Sequence, residues 1–372
     1  MIWCSRIGLL GRAALLLAVL ALPASLKAAE PLREWTIMVY SATANDLEPY
    51  TFRDVAKLTA SRPKADRPVA LSMLIATINY GDWQLAYDGD PEAITLRRLD
   101  RLRLYDLGNL TRFIRETAAK LPARKYALIM QGHGSGWYFS IEPGHTVSSA
   151  AVASAIRKAG VPFEIIGLDM CLMSSLETAW KFRQLTPYLI ACEDYGPWEG
   201  ITSPETISEF SSVRSTRALL SRMATSFIRR NNPDPDNDPA DISVIATAGV
   251  EPLTAFVEKA FQGRSLDRSY FDLTASVDRS ATEPYPYLQD LYTLTMRVLK
   301  DEPAEQRRFQ ELFRATVIDY QQDRQKEALP YAADHHGLSI AVNALGDPTD
   351  VSHRYREMTL PVRLKTEKSP TR

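Results

Sequence analysis

Short apolar runs alternate with amphipathic segments through the first 250 residues of the chain. The apolar runs are rich in β-branched and aromatic residues, which is typical of buried strands. They lie at residues 35–40, 69–78, 126–131, 163–169, 188–192 and 242–247. Segments with helical spacing lie between them, at residues 47–58, 109–120, 148–158, 174–184 and 216–230. This alternation predicts an α/β fold, with a mainly parallel, doubly wound sheet and helices on both faces.

Two other patterns modify this picture. Residues 83–87 and 93–97 flank the turn sequence Asp88-Gly89-Asp90-Pro91, which predicts a hairpin projecting from the sheet. After Glu251 the pattern becomes helix-rich, with helices predicted at 288–299 and 309–320, and one late apolar run at 337–342 is predicted to return to the sheet. The predicted organisation is an N-terminal segment (1–29), a core (30–250), a helix-rich C-terminal part packing on the core (251–364) and a flexible tail (365–372).

Composition and net charge indicate a globular protein and argue against nucleic-acid binding. The 372 residues are 45% hydrophobic and 24% charged, as in a soluble globular protein with a substantial core. The net charge is −1 and no long basic stripe occurs, so nucleic-acid binding is not expected.

The N-terminus has the pattern of a secretory signal. Arg6 and Arg12 precede an apolar run at 13–22, and small residues follow up to Ala29. The run is short for a membrane span, although an uncleaved anchor is the alternative. We therefore expect a mature protein that is exported, secreted or periplasmic, and not membrane-bound after the signal is removed.

Two strand-like runs each end in a reactive side chain. One runs into His133, between Gly132 and Gly134, and the other ends just before Cys171. Parallel sheets place working residues beyond the carboxyl ends of their strands, so His133 and Cys171 are predicted to meet as general base and nucleophile. A helix predicted after Cys171 would favour its thiolate, and the N–H groups of Gly134 and Cys171 would form an oxyanion site. The alternatives are a solvated loop histidine and an inert buried cysteine.

Cys192 allows a second alternative, in which it forms a disulfide with Cys171. Without the N-terminal segment, Cys171 and Cys192 are the two remaining cysteines, and an oxidising compartment would allow a disulfide between them. Such a bond would consume the nucleophile. The protein would then be a non-catalytic binding protein on a peptidase fold.

Four stretches in order carry a resemblance to a known family. They are 35–40 with 45–48, 132–137, 167–174 and 188–194. Together they resemble the clostripain-type cysteine peptidases, which belong to the caspase-like group. The resemblance implies a caspase-like fold, a catalytic dyad at His133 and Cys171, and cleavage after Arg or Lys. The chain departs from the family pattern at Met170, just before the nucleophile, and at Cys192, where a serine is usual.

Acidic residues near the predicted site fit a preference for basic side chains. A pocket for a guanidinium or ammonium group needs a carboxylate at its floor. Asp169, Glu193 and Asp194 follow predicted strands and are the candidate substrate-binding residues, with Glu199 a weaker one. The alternatives are a helix N-cap or a charge that orients the loop for Asp169, and a solvated turn for the other two.

No cofactor is required for this chemistry, and no metal site is predicted. Alternating aspartates at 234, 236, 238 and 241 lack the glycine and glutamate of an EF-hand, so a solvated loop is expected. The remaining histidines show no ligand spacing with the cysteines. The sequence thus predicts an exported, monomeric cysteine endopeptidase that acts on a protein or peptide substrate.

Overall fold

The computed structural model describes residues 32–61, 69–88, 90, 94–142, 144–232, 240–262, 264–266, 288–323, 335–341 and 365–366. The described residues from Arg33 onward belong to one compact unit. The predicted signal at 1–29 lies outside the described residues, and so do Asp234, Asp236, Asp238 and His353. Among the described residues, no helix is both long enough and apolar enough to span a membrane.

Strands and helices alternate along the chain. The strands are β1 (Arg33–Ala42), β2 (Val69–Ala76), β3 (Asp82–Tyr87), β4 (Thr95–Leu99), β5 (Ala123–Gln131), β6 (His133–Gly134), β7 (Tyr138–Glu142), β8 (His145–Ser148), β9 (Ile165–Asp169), β10 (Tyr188–Ala191), β11 (Asp241–Ala246), β12 (Ser265–Leu266), β13 (Leu288–Asp290), β14 (Val317–Gln322), β15 (Ser339–Ala341) and β16 (Lys365–Thr366). The helices are α1 (Glu48–Ser61), α2 (Leu107–Lys120), α3 (Ser149–Ala159), α4 (Leu176–Phe182), α5 (Pro204–Ser212), α6 (Thr216–Asn231), α7 (Val250–Phe261), α8 (Leu291–Val298) and α9 (Pro303–Thr316).

A large sheet organises the described residues. Its strand order is β14-β11-β10-β9-β5-β1-β2-β3-β4. The central strands β2, β1, β5, β9 and β10 pair in parallel, whereas β3, β4, β11 and β14 add antiparallel pairs at the two sides. The predicted hairpin is confirmed as β3 and β4. Because β1, β5, β9 and β10 run in one direction, the loops that follow them emerge at the same edge.

The two faces of the sheet build two separate cores. Side chains alternate along β1, so Met38 and Tyr40 enter one core whereas Ile37 and Val39 enter the other. Residues of α2, α3, α4 and α7 cover the first face. Residues of α1, α5 and α6 cover the second. The predicted doubly wound sheet with helices on both faces is therefore confirmed.

The sequence analysis did not predict helix α5, although residues that favour the start of a helix are present. Ser203 caps α5 by accepting a hydrogen bond from the Thr206 N–H, and Pro204 occupies the first turn. Serine followed by proline is a common helix start, because proline lacks the N–H that would be unsatisfied there. The segment is only nine residues long. Its helical period is therefore too short to stand out against the neighbouring loop.

The C-terminal part corrects three predictions. The predicted helix at 309–320 ends at Thr316, and β14 then pairs antiparallel with β11 at the sheet edge. The predicted helix at 288–299 begins as a strand, β13. The late strand does not return to the large sheet, because β15 pairs antiparallel with β13. β14 already pairs with the outer side of β11, so β15 cannot pair with β11 there.

Within the predicted flexible tail (365–372), the structure describes two residues, and they form a short strand. Strand β16, at Lys365–Thr366, pairs in parallel with β12. The sequence analysis did not predict this strand. A two-residue pairing is made by backbone hydrogen bonds and leaves no pattern of apolar side chains in the sequence.

Candidate active site

A cleft of about 290 Å³ opens where β1, β5 and β9 end. Its lining includes the two predicted catalytic residues and both aromatic and acidic side chains: His133, Cys171, Tyr50, Trp198, Asp54 and Asp169. β5 delivers His133 two residues beyond its last residue, and β9 delivers Cys171 in the same way. The structure thus brings together the histidine and the cysteine that the sequence predicted.

Cys171 lies in a turn and not at a helix N-terminus. Its partly buried sulfur accepts a hydrogen bond from the Gly196 N–H at 3.3 Å. The helix predicted to begin at Ser174 instead begins as α4 at Leu176, with Ser175 as its N-cap. The expected assistance from a helix N-terminus is therefore wrong, and the Gly196 N–H takes its place. A donor directed at sulfur favours the negatively charged thiolate.

The backbone after the cysteine is unusual. Leu172 has φ of +65°, a left-handed conformation that L-residues with large side chains rarely adopt. The Leu172 N–H donates to the Asp194 carbonyl at 2.9 Å, and the Ser174 N–H donates to the Cys192 carbonyl at 2.8 Å. These bonds hold the turn against the loop that follows β10. Such strain is typical of a residue whose position serves a site.

The late strand β15 supports the same turn from another side. The Ser339 N–H donates to the Ser174 carbonyl at 2.9 Å, and the Ser174 hydroxyl donates to the Gly337 carbonyl at 2.6 Å. The C-terminal segment that the sequence assigned to the sheet therefore braces the loop of the candidate nucleophile.

His133 contacts a carboxylate that the sequence analysis assigned no catalytic role. Its Nε2 lies 2.7 Å from Oδ1 of Asp46, which follows β1. The hydrogen bond from His133 lowers the pKa of Asp46, which keeps that carboxylate ionised. Asn45 shapes this loop by accepting the Leu47 N–H at 2.9 Å. Because Nε2 is engaged by Asp46, Nδ1 is the imidazole nitrogen left to exchange a proton.

The glycines around His133 permit close packing of its loop. Gly132 has φ of +153°, and a Cβ there would lie 3.0 Å from the Ala42 carbonyl oxygen. A Cβ on Gly134 would lie 2.6 Å from the Cys171 carbonyl oxygen, so the His133 and Cys171 loops touch at this point. Any side chain at Gly134 would separate them.

The register of β6 and β7 indicates that the Gly134 N–H does not pair with β7. His133 pairs with Ser140 and Gly134 with Phe139, and the Ser135 N–H donates to the Tyr138 carbonyl. Hydrogen-bonded pairs alternate in an antiparallel ladder, so Gly134 occupies a non-bonded position. Its N–H therefore points away from β7, as an oxyanion donor requires.

Asp169 lies at the floor of the cleft. Its Oδ2 accepts hydrogen bonds from Gln131 Nε2 at 3.1 Å and from the Ile201 N–H at 2.9 Å. Burial raises the pKa of Asp169 to about 6, although both hydrogen bonds act in the opposite direction. A Cβ on Gly200 would lie 2.2 Å from Oδ2, so only glycine allows this loop to approach the carboxylate.

Glu193 and Asp194 do not line this cleft. Both are buried, with 0% and 1% exposure, and they pack against the start of β11 and the C-terminal segment. Asp241 accepts hydrogen bonds from both of their backbone N–H groups, at 3.0 and 3.2 Å, and Glu193 Oε2 accepts the Gly337 N–H at 2.6 Å. The solvated turn considered as their alternative is wrong as well. A pocket carboxylate at this site therefore depends on Asp169, and on Asp54 beside it.

Cys192 is buried on the second face of the sheet and is not bonded to Cys171. The predicted alternative of a Cys171–Cys192 disulfide is thus not found. The described residues also hold no cluster of His, Cys, Asp and Glu suited to a metal ion.

Comparison with known proteins assigns the family. A model of the clostripain family matches residues 39–300. The chain belongs to the clostripain family. It is a cysteine peptidase, as the sequence resemblance implied. No curated protein matches this chain.

Solved structures show the same fold for this clostripain-family protein. An inactive zymogen of a C11 protease from Parabacteroides distasonis has a TM-score of 0.70 at 20% identity, over 88% of this chain and 97% of that one. A secreted C11 cysteine protease from Bacteroides thetaiotaomicron, in complex with an irreversible peptide inhibitor, has a TM-score of 0.70 at 15% identity, over 88% and 97% of the two chains. The predicted caspase-like architecture is confirmed.

Proposed function

We propose that this protein is an exported cysteine endopeptidase that uses a His133–Cys171 dyad and cleaves after Arg or Lys. The observation that carries the proposal is the convergence of three groups in one cleft. Cys171 has a donor at its sulfur, His133 has a carboxylate at Nε2, and Asp169 lies at the floor. Nucleophile, base and cation-binding group are the parts that such an enzyme needs.

The chemistry follows from these positions. The Cys171 thiolate attacks the peptide carbonyl, and the N–H groups of Gly134 and Cys171 stabilise the oxygen anion that forms. His133, which has taken the thiol proton of Cys171, then gives that proton to the leaving amine, which releases the first product and leaves a thioester. His133 next removes a proton from water, and the attack of that water releases the second product and restores Cys171. Asp46 holds the imidazole in one orientation during both steps.

The preference for basic side chains is supported by charge. An ionised Asp169 in a partly buried cleft attracts a guanidinium or ammonium group more strongly than an exposed carboxylate would. Trp198 and Tyr50 provide an apolar wall for the aliphatic part of such a side chain, since their rings stack with centroids 4.4 Å apart.

Export and peptide binding are supported by two kinds of evidence. The N-terminal residues carry a secretory pattern, with Arg6 and Arg12 before an apolar run. A relative of the same fold is described as secreted and was solved with a peptide inhibitor.

Cleavage of a mixed peptide library, in the presence of reductant, tests the proposal. We expect cuts after Arg or Lys, and a loss of about 10⁴-fold or more in Cys171→Ala because no other group replaces the nucleophile. Cys192→Ala is the matched control and should retain activity, since Cys192 is buried and does not line the cleft. Cuts that persist in Cys171→Ala would refute the dyad. Cuts after uncharged residues would refute the proposed specificity alone.

A further inference from the structure

A second carboxylate faces the cleft beside Asp169. Asp54 lies on α1, next to Val55, which packs in the core beneath the helix. Its side chain lines the active-site cleft and also a second cleft alongside, which is bordered by Glu199 and Arg230. The residue is 9% exposed. Among the described residues, none donates a hydrogen bond to the Asp54 carboxylate.

The cations near Asp54 are engaged elsewhere. Lys57 Nζ lies 2.6 Å from Glu199 Oε1, and Arg53 Nη2 lies 3.7 Å from the same oxygen. Behind Asp169, Arg230 donates through Nη2 to the Gly200 carbonyl at 2.9 Å. Glu199 is therefore compensated by two side chains of α1. Asp54 and Asp169 face the cleft with no ion pair within the described part of the chain.

The charge of Asp169 opposes the ionisation of Asp54. Burial, and then the charge of Asp169, raise the pKa of Asp54 to about 7, against the smaller opposing effects of Arg53 and Lys57. Glu199 acts in the same direction as Asp169. In an empty cleft, Asp54 therefore keeps its proton at a pH at which an exposed aspartate would already be ionised. A cation between the carboxylates would replace that proton.

We propose that Asp54 is a second specificity-determining residue, which binds the cationic side chain preceding the scissile bond together with Asp169. This inference rests on the proposed function. Two carboxylates offer a guanidinium or ammonium group more acceptors than one, and the stacked Tyr50 and Trp198 rings offer a surface to its aliphatic part. Entry of the cation is coupled to the release of a proton from the pair.

Matched peptides with Arg or citrulline before the scissile bond test this inference. Citrulline has nearly the same shape as Arg but carries no charge. In Asp54→Asn, we expect kcat/KM for the Arg peptide to fall about 10- to 100-fold, the usual effect of losing a hydrogen bond to a charged group. The citrulline peptide should change less than about threefold. Glu205→Gln is the matched control, because it removes an exposed carboxylate of the second cleft and should leave both values unchanged.

The pH dependence gives a second readout. The ratio of the two kcat/KM values cancels the titration of the dyad and reports on the pocket alone. In the native protein this ratio should rise with pH up to about 7, because Asp54 must ionise to bind the cation. In Asp54→Asn the rise should occur at lower pH, because only Asp169, whose pKa is raised to about 6, then titrates in the pocket. Thermal unfolding verifies that the variant is folded, and Asp54→Ser is the second uncharged variant.

Each outcome has a separate meaning. An unchanged ratio in both Asp54 variants, together with a collapse of the ratio in Asp169→Asn, would overturn this inference and leave the proposed function intact. A native protein that cleaves the Arg and citrulline peptides equally well would overturn the proposed specificity and the role of Asp54 together.

Discussion

Two groups of carboxylates lie near the ends of neighbouring strands and differ in what holds them. The cleft group is Asp54 and Asp169. The buried group is Glu193, Asp241 and Asp290, where β10 ends, β11 begins and the C-terminal segment packs. Burial raises the pKa of Glu193 well above its ordinary value, and it also raises the pKa values of the cleft pair. The two groups are therefore similar in composition and in local desolvation.

The two groups differ in the hydrogen bonds that they accept. In the buried group, Asp241 accepts from two backbone N–H groups, and Asp290 accepts the Thr293 and His336 N–H groups at 2.7 and 2.8 Å. Within the described residues, Asp54 accepts none. Asp169 of the cleft group accepts the Ile201 N–H and Gln131 Nε2, both through Oδ2, and no hydrogen bond to its Oδ1 is found among the described residues. The carboxylates of the buried group therefore join chain segments, whereas the cleft pair keeps acceptor oxygens that remain available to a ligand. Function therefore follows from the partners of an acidic residue rather than from its place after a strand.

The largest expected effect is a loss of folding stability when the buried group is disrupted. Asp241→Ala removes the acceptor of the Glu193 and Asp194 N–H groups, which are buried and would be left unsatisfied. We expect the free energy of unfolding to fall by about 3 kcal/mol. Denaturant unfolding measures this change. Asp241→Asn, which keeps one acceptor oxygen, should lose less, and equal losses in the two variants would contradict the proposed role.

A smaller effect is expected for the cleft group, on the pH dependence of folding stability. The folded-state pKa of Asp54 is raised from 3.8 to about 7, so the folded protein holds a proton that the unfolded chain releases over this interval. Stability therefore decreases as pH rises from about 4 to about 7. Asp54→Asn removes that contribution and should be more stable than the native protein at pH 8, by on the order of 2 kcal/mol.

The measurement is denaturant unfolding of both proteins at pH 4 and pH 8. Because Glu193 shifts in the same direction, only the difference between the native protein and Asp54→Asn isolates the cleft carboxylate. A stability difference that is the same at both pH values would contradict the raised pKa of Asp54.

The smallest effect tests a third, exposed carboxylate. Asp46 is 69% exposed and contacts His133 at 2.7 Å, so we expect it to position the proposed base rather than to bind substrate. In Asp46→Asn we expect kcat to fall about tenfold with KM unchanged, because the imidazole loses its preferred orientation. Steady-state kinetics measures both values. Glu251→Gln, remote from the cleft, is the control, and a change confined to KM would place Asp46 in substrate binding instead.

Much of this architecture is readable from residue patterns. Alternating buried strands and amphipathic helices predict the doubly wound sheet, because period and length are local properties of the chain. The placement of His133 and Cys171 at one edge follows from the same reasoning, since parallel strands carry their following loops to one side. Predictions were wrong near the C-terminus, at 309–320 and 337–342, where the competition of strands for a sheet edge decides the outcome.

The sequence by itself determined the fold class, the family and the candidate nucleophile and base, because these depend on residue type, order and local period. Only the tertiary structure decided which acidic residues face the cleft. It placed Glu193 and Asp194 in a buried cluster, brought Asp46 to His133, and set Asp54 beside Asp169 from a helix more than a hundred residues earlier. Spacing along the chain cannot show these pairings, because burial and hydrogen bonding depend on which distant segments pack together.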